Sequence, residues 1–306
     1  MELAGGNRRK KTALEGPTAL LAMTIYGGWI ALTLLWASIP WPLLVALGAW
    51  LVAWQLSLQH EALHGHPTRS RRINDAIAFP PLSLWLPYQL YRTAHLHHHN
   101  DDRLTDPIED PESAYVTPAA WTRVGPVGRF VLAINATLAG RLVVGPAIMI
   151  FGFLVSEARL IAKGDRRRLA IWGWHLVGVA VVLAWLTFVC RMPLWLYLVG
   201  FVYPGGALIR LRSYAEHRWS NEVSHRTAVV ESAGPFGLLF LNNNLHAVHH
   251  AKPNVPWYEL PALYRREQAV VTAQNGGLVY SGYGEIARRF FLRRHDDPIH
   301  PDRRRW

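Results

Sequence analysis

Long runs of uncharged, mostly apolar residues are the most prominent pattern along the chain. A helix needs about 20 such residues to cross the hydrocarbon core of a bilayer. Four runs have about this length, namely 18–38, 41–59, 169–190 and 192–209. Only a few residues separate the first run from the second and the third from the fourth, so each pair predicts a tight hairpin. The expected fold class is an all-α integral membrane protein with four transmembrane helices in two hairpins.

Two further apolar stretches are expected to lie in the membrane interface or beneath the spans. The first, 73–91, contains several prolines, which forbid one straight helix. The second, 130–155, is interrupted by Arg141 and by small and polar residues. If the second stretch crossed the membrane, the histidine-rich segments before and after it would lie on opposite faces. We therefore expect helices that lie in the interface or pack beneath the spans at both places.

The positive charge of the chain has a topological explanation. The net charge is +11 and the pI is about 10.1, but Arg191 alone among the 32 lysines and arginines lies in the short turn of a hairpin. This distribution follows the positive-inside rule for a chain with both termini in the cytoplasm. We expect a protein of an inner or plasma-type membrane and no nucleic-acid partner. The expected organisation is a cytosolic tail (1–17), a membrane domain (18–209) with a cytosolic or interfacial insertion (60–168), and a cytosolic cap segment (210–306).

The composition limits the chemistry of any bound metal. Hydrophobic residues make up 51% of the chain, yet the mean hydropathy is only +0.07, so a substantial polar part must accompany the spans. Cys190 is the single cysteine. A disulfide framework, a cysteine-based zinc module and a fused iron–sulfur carrier are therefore excluded. A metal would have to bind to His, Asp, Glu or Asn.

Histidines are clustered at three places next to the predicted spans. The cluster His60-Glu-Ala-Leu-His64 continues the second apolar run, and its spacing places both imidazoles on one face of a helix. The other two clusters share the pattern HxxHH, in which positions i, i+3 and i+4 converge on one side of a helix. They supply His95, His98, His99, His246, His249 and His250. His217 is a ninth candidate, because it follows the fourth run at a depth similar to that of His60.

Nine imidazoles are too many for one metal ion but suit two. First-row ions take about four to six ligands, and all-imidazole ligation is compatible with zinc, copper, iron or nickel. A structural zinc needs four ligands, usually with cysteine, and a hydrolytic zinc needs three and a water. Two redox-active irons that react with dioxygen account for both the number of histidines and their position at the mouth of a helix bundle.

The three clusters resemble the histidine boxes of the membrane fatty acid desaturase superfamily, in their order and in their separations. The region from Asn244 to Pro261 is similar to that around and after the third box of acyl-lipid desaturases and carotenoid ketolases. His60-Glu-Ala-Leu-His-Gly65 is similar to their first box. The resemblance covers the chain from about Thr18 to Arg266 and is therefore not confined to one motif.

This resemblance implies four spans, a helical cytosolic cap, a di-iron centre, dioxygen as co-substrate and an external electron donor of the ferredoxin or cytochrome type. It places eight histidines at the iron-binding and catalytic positions and His217 at an additional ligand position. The eight are His60, His64, His95, His98, His99, His246, His249 and His250.

The implied activity is O2-dependent oxidation of an unactivated C–H bond in a lipid, with acyl-chain desaturation as the main hypothesis. The alternative is a di-iron hydroxylase or ketolase acting on a lipid, a carotenoid or another apolar molecule. These outcomes differ in where the second hydrogen lies relative to the irons, which no motif reports. A non-enzymatic metal transporter or sensor would need polar residues inside the spans to form an ion path, and the spans contain almost none.

Several polar residues outside the nine candidate ligands also have a predicted role or exposure. Glu61, Asp106, Glu109 and Asp110 are candidates to orient imidazole N–H groups, although acids in such a loop often have no such role. Asn242 is expected to hold a metal-bound water or a carbonyl, or else to cap the next helix. His175 is expected to be a hydrogen-bonded packing residue, and on a helix His97 points away from His95 and His99. The histidines expected to be exposed are His66, His225, His295 and His300.

Overall fold

A computed structural model of the chain describes residues 14–99 and 102–302 and is mostly helical, with 67% helix and little strand. The first thirteen residues of the predicted tail lie outside the described residues. In chain order the α-helices are α1 (Gly16–Leu34), α2 (Trp41–Leu63), α3 (Arg71–Ala78), α4 (Tyr88–His99), α5 (Pro118–Arg123), α6 (Gly125–Asn135), α7 (Leu138–Val143), α8 (Gly145–Ala162), α9 (Arg166–Ala184), α10 (Leu194–Tyr197), α11 (Tyr203–Glu216), α12 (Pro235–Leu239), α13 (His246–Ala251), α14 (Leu260–Gln274) and α15 (Tyr283–Phe290).

Five stretches of helix in the described chain are long and apolar enough to cross a membrane. They are Gly16–Leu34, Trp41–Leu63, Gly145–Ala162, Arg166–Val189 and Leu194–Glu216. Four of them overlap the four predicted spans, and a π-helical segment extends α9 to Val189. The fifth is α8, which includes the end of the stretch that we expected in the interface. The fold is that of an all-α membrane protein, while the four-span topology stays a prediction.

Prolines and capping residues divide the two ambiguous apolar stretches. Helix α3 ends just before Pro80, and α4 begins just after Pro87, as the fixed φ and the missing N–H of proline require. The stretch 130–155 is divided among α6, α7 and α8. Thr137 begins α7 by accepting a hydrogen bond from the backbone N–H of Gly140 at 3.1 Å. Neither stretch therefore forms one continuous helix.

Two compact units make up the described structure, and one consists of the described part of Thr12–Thr93 and of Pro146–Ile209. In it, α2 packs closely against the π-helical segment Leu198–Val202 and the start of α11, because Gly48 contacts the ring of Phe201. A Cβ atom at Gly205 would lie only 2.8 Å from the side chain of Val52. Small residues at such crossings let two helical backbones approach closely.

Buried polar side chains in the same unit satisfy carbonyl groups that the prolines leave without a helical partner. The amide of Gln55 donates to the carbonyl of Pro80, and that of Gln59 donates to the carbonyl of Ala78, both at 2.9 Å. Buried carbonyl groups are costly unless they accept a hydrogen bond. These two contacts attach the 78–80 segment to the part of α2 that leads to His60.

The second unit contains the described parts of Ala94–Gly145 and Arg210–Trp306. Its two short strands, β1 (Val229–Ser232) and β2 (Val279–Gly282), pair in parallel. One hydrophobic core of this unit joins β1, α13 and α14, and is formed by Val229, Leu245, Val248, Leu260, Leu263, Tyr264 and Val271. Because Val248 lies within α13, this core positions the helix that carries the third histidine cluster.

Gly140→Ala is expected to destabilise the protein by about 2 kcal/mol, because a Cβ atom there would overlap the backbone carbonyl of Ile134. A backbone atom cannot move aside as the end of a flexible side chain can. Gly152→Ala in α8 is the matched control, since nothing lies within 4 Å of its added Cβ. Thermal unfolding of both purified variants in detergent measures the effect, and equal midpoints would contradict the steric argument.

Candidate metal centre

The first histidine pair lies at the end of α2. His60 belongs to the last turn of the helix and His64 is its C-terminal cap residue, with exposed fractions of 3% and 7%. Their ring centroids are 5.0 Å apart. The helix therefore continues beyond the apolar run, and the spacing of four residues brings the two imidazoles together on one face.

The other seven candidate histidines all belong to the second unit, and three elements supply them. The end of α4 carries His95, His98 and His99, the residue after α11 is His217, and α13 carries His246, His249 and His250. Within this unit, one group consists of His98, His217, His246 and His250, whose ligand atoms all lie within 4.8 Å of one another. A second group contains His95, His99 and His249.

In both groups the Nε2 atoms approach one another. The Nε2 atom of His217 lies 3.1 Å from that of His98 and 2.9 Å from that of His246. In the second group, the Nε2 atom of His99 lies 3.0 Å from that of His95 and 3.1 Å from that of His249. Two nitrogens bound to one metal at about 2.1 Å and at right angles are separated by about 3 Å. The observed spacing is therefore that of neighbouring ligands.

The pair His217 and His246 tests whether a cation suits this site. The Nδ1–H of His217 donates to the carbonyl of Arg226 at 3.3 Å, and that of His246 donates to Oδ1 of Asn243 at 3.1 Å. In a neutral imidazole with a proton on Nδ1, the Nε2 atom carries a lone pair. Two lone pairs thus face each other at 2.9 Å. This arrangement is repulsive by itself and favourable around a metal ion, so the donor set fits a metal.

Burial keeps these two imidazoles neutral. It lowers the pKa of His217 to about 3, and the nearby His98 adds to the effect. Burial also holds the pKa of His246 well below the ordinary value, and His250 contributes in the same direction. Because a metal binds the neutral imidazole, both side chains are in the form that acts as a ligand at neutral pH.

Two carboxylates from one loop orient the imidazoles at the end of α4. The Nδ1–H of His98 donates to Asp110 at 2.8 Å, and that of His95 donates to Glu112 at 2.6 Å. Burial alone would lower the pKa of His98, but Glu112 and Asp110 outweigh it and raise this pKa to about 9. Hydrogen bonds of this kind fix the ring orientation and make Nε2 a stronger donor to a metal.

A third acid, Glu216, orients His246 through the side-chain amide of Asn243. The Nδ2 group of Asn243 donates to Oε1 of Glu216 at 3.1 Å, which turns Oδ1 of Asn243 towards His246. The guanidinium of Arg212 pairs with the same Glu216 oxygen at 2.9 Å. The ring of His246 is therefore held by a chain of hydrogen bonds whose far end is a charge-balanced pair.

The sequence pattern predicted some of these supports and missed others. Asp110 was a candidate and contacts His98, whereas the sequence pattern indicated neither Glu112 nor Asn243. Asp106 instead accepts hydrogen bonds from the backbone of its own loop, and Glu109 pairs with Arg103. The position of Glu112 two residues after Asp110 is a sequence signal that it could also contact a histidine. The contact itself requires the loop to return to α4, and this is a feature of the tertiary structure.

Other polar residues can also be compared with their predicted places. The amide of Asn242 donates to the carbonyl of Trp257 at 3.0 Å, and α13 has no side-chain cap. His175 is buried and contacts the carbonyl of Leu84 at 2.9 Å, as expected of a packing residue. His97 is exposed, in line with a position facing away from the other histidines, and Glu61 lies close to Glu15 and His66 in a buried cluster.

The predicted exposure of four histidines was wrong. His66 is fully buried because its Nδ1 atom contacts Glu15 at 2.7 Å, and His300 is buried beside the rings of Tyr115 and Trp219. The remaining two, His225 and His295, are half-buried. A single polar residue between loops carries no hydropathy pattern, so the neighbours that cover it could not be read from the sequence.

A mostly helical protein with membrane-length apolar helices and buried groups of histidines belongs to the class of membrane proteins with a candidate metal centre. The chain matches the fatty acid desaturase family over residues 34–283, and it therefore belongs to that family. Membership identifies it as a membrane oxidoreductase of the desaturase type. No curated protein matches the chain.

Proposed function

We propose that this protein uses dioxygen and a di-iron centre to desaturate an acyl chain of a lipid. The observation that carries the proposal is the pair of neutral imidazoles, His217 and His246, whose Nε2 lone pairs face each other at 2.9 Å. Family membership supports redox chemistry on a lipid, and the all-nitrogen donor set is one that iron accepts.

The proposed ligands of one iron are the four histidines of the first group, His98, His217, His246 and His250. We assign His95, His99 and His249 to the other iron. His60 and His64 complete the set of nine, an assignment that rests on the resemblance of the three clusters to the histidine boxes of the family. Together these residues would supply all the protein ligands of the centre.

The iron pair, when bound, supplies the reduction of dioxygen and the removal of hydrogen from an unactivated C–H bond. Desaturation removes two hydrogens from adjacent carbons and, with two electrons and two protons from a donor, converts O2 into two waters. The protein's own side chains contribute by holding the reacting groups in position. Asp110 and Glu112 hold imidazole rings of α4 by their N–H groups, and burial of those rings keeps bulk water from competing for their nitrogens.

The electrons must come from another protein. Cys190 is the single cysteine, and the sequence has neither a ferredoxin cluster motif nor a cytochrome b5 haem motif. We propose an external donor of the ferredoxin or cytochrome type that meets a cytoplasmic metal centre, with both termini on the same side of the membrane. The positive-inside distribution of lysine and arginine supports this orientation.

Turnover under 18O2 tests the reaction class. The purified protein, loaded with iron and supplied with a reducing system, is incubated with lipids of its host, and the products are analysed by mass. We expect an alkene product, two mass units lighter than its precursor, that carries no label, with the labelled oxygen recovered as water. Iron analysis of the same preparation should give about two irons per chain.

Label in the lipid product would overturn desaturation in favour of the alternative hydroxylase or ketolase. Tightly bound zinc in place of iron, with no O2-dependent product, would overturn the di-iron proposal as a whole. A preparation stripped of metal by a chelator is the control, and it should form no product.

A further inference from the structure

Two arginines in the second unit, one buried and one half-buried, form no ion pair with an acid among the described residues. Arg141 of α7 is only 6% exposed, and Arg210 of α11 is half-buried. Neither guanidinium forms an ion pair within residues 14–99 and 102–302. Burying a charge costs free energy unless an opposite charge or hydrogen bonds compensate for it.

The two guanidiniums use few of their hydrogen-bond donors. Nε of Arg141 donates to the carbonyl of Asn135 at 3.0 Å, and its guanidinium lies 5.6 Å from the ring centroid of Tyr214. Nε of Arg210 is buried and makes no hydrogen bond in the described part of the chain. The forked Nη groups of both side chains are thus available, and this fork matches the two oxygens of a carboxylate or a phosphate.

The side chains of Arg141 and Arg210 lie close together, next to the Cα atom of Gly145. A Cβ atom at this position would meet Cδ of Arg141 and Oδ1 of Asn135, both at 3.2 Å, and Nε of Arg210 at 3.5 Å. Like charges this close repel each other, and each raises the need of the other for an anion. The charges of two acids, Glu216 and Glu112, act on Arg210, but both carboxylates already have closer partners. Glu216 contacts Arg212 and Asn243, and Glu112 contacts His95.

The position of Arg210 along the chain indicates what kind of anion can reach the two arginines. Arg210 is the first charged residue after the apolar run that ends at Ile209, so it lies at the depth where lipid headgroups meet the hydrocarbon. His217 follows seven residues later, about 10 Å along a helix axis. An acyl chain of ordinary length spans that separation.

We propose that Arg141 and Arg210 bind the oxyanion at the head of the acyl substrate, a carboxylate or a phosphate. This inference rests on the proposed function, because it takes the bound lipid to be the molecule that is oxidised. The site would favour an acyl lipid with a negative head over a neutral ester or hydrocarbon of the same chain length.

Lipid retention by the full-length protein tests the site without turnover. The protein is placed in nanodiscs of neutral lipid, and native mass spectrometry measures the retention of oleate, oleoyl lysophosphatidate and methyl oleate. We expect at least one of the two anions to be retained about tenfold more than methyl oleate, the effect of a charge-assisted hydrogen bond. The better retained anion identifies the headgroup as a carboxylate or a phosphate.

Arg210→Gln should abolish the preference for the anionic lipid over methyl oleate. Retention of methyl oleate should stay unchanged, and this also reports that the variant is folded. Arg141→Gln is a second variant with the same expected loss. Arg159→Gln, which removes an exposed arginine of α8, is the matched control and should keep the preference. Equal retention of methyl oleate and both anions, or an unchanged preference in both Arg141→Gln and Arg210→Gln, would overturn the proposal.

The two proposals fail in different ways. Loss of the predicted anion preference overturns the headgroup site and leaves the 18O2 result untouched. An oxygen-labelled product overturns desaturation but leaves retention of an anionic lipid unaffected.

Discussion

His98→Ala is expected to lower product formation by more than about a hundredfold and to reduce the bound iron from the proposed two ions per chain to one. The side chain is 1% exposed, its Nε2 atom lies 3.1 Å from that of His217, and its Nδ1–H is held by Asp110. Removal of the ring therefore deletes a nitrogen donor to the metal and one of the hydrogen-bond donors to the buried carboxylate of Asp110, which keeps those from the backbone of Thr105 and Glu112. Iron analysis and turnover of the purified variant measure the two effects.

The adjacent residue provides the control. His97 is exposed on the same helix, and its Nε2 atom contacts the carbonyl of Glu109 at 3.1 Å. His97→Ala should keep both irons and stay within about twofold of the wild-type rate. If His97→Ala lost iron while His98→Ala retained it, the assignment of the ligand face of α4 would be wrong.

Glu112→Gln is expected to weaken iron binding by about 10-fold to 100-fold, with a similar loss of turnover. The Glu112 carboxylate accepts the Nδ1–H of His95 at 2.6 Å. Partial burial alone would raise the pKa of Glu112, whose side chain is 27% exposed, but the imidazoles of His95 and His98 hold it well below its ordinary value. Glutamine keeps the shape and an acceptor oxygen but loses the negative charge that strengthens the donor nitrogen.

Competition with a chelator of known affinity measures this effect on iron directly. Glu109→Gln is the matched control, because Glu109 lies in the same loop and its carboxylate pairs with the exposed Arg103. The control should bind iron as the wild type does. Equal iron affinities for the two variants would show that the contact between Glu112 and His95 serves only the packing of the loop.

The helices that carry the candidate site were largely predictable. Hydropathy located α1, α2, α9 and the stretch Leu194–Glu216, because about 20 consecutive apolar side chains are a local property of the chain. The spacing of His60 and His64 predicted a shared helix face, since helical geometry relates residues four apart. Family membership, which the clusters indicated by their resemblance, is confirmed by the match over residues 34–283.

The number of membrane-length helices was harder to predict. The stretch 130–155 contains both the break after α6 and the first part of α8, and a hydropathy average does not separate them. At this break Thr137 caps α7 through a hydrogen bond from the backbone N–H of Gly140, a local polar contact that a hydropathy average does not register. A fifth candidate helix therefore appeared where we expected interfacial segments.

The amino-acid sequence alone decides the class of fold and the supply of nitrogen donors, because both depend on patterns within a few helical turns. Tertiary structure decides which oxygen orients each ring, as the contacts of Glu112 with His95 and of Asn243 with His246 show. It also brings together Arg141 and Arg210, which belong to different helices. Such contacts join residues far apart in the chain, and their geometry depends on the return path of loops and on packing, which no local spacing encodes.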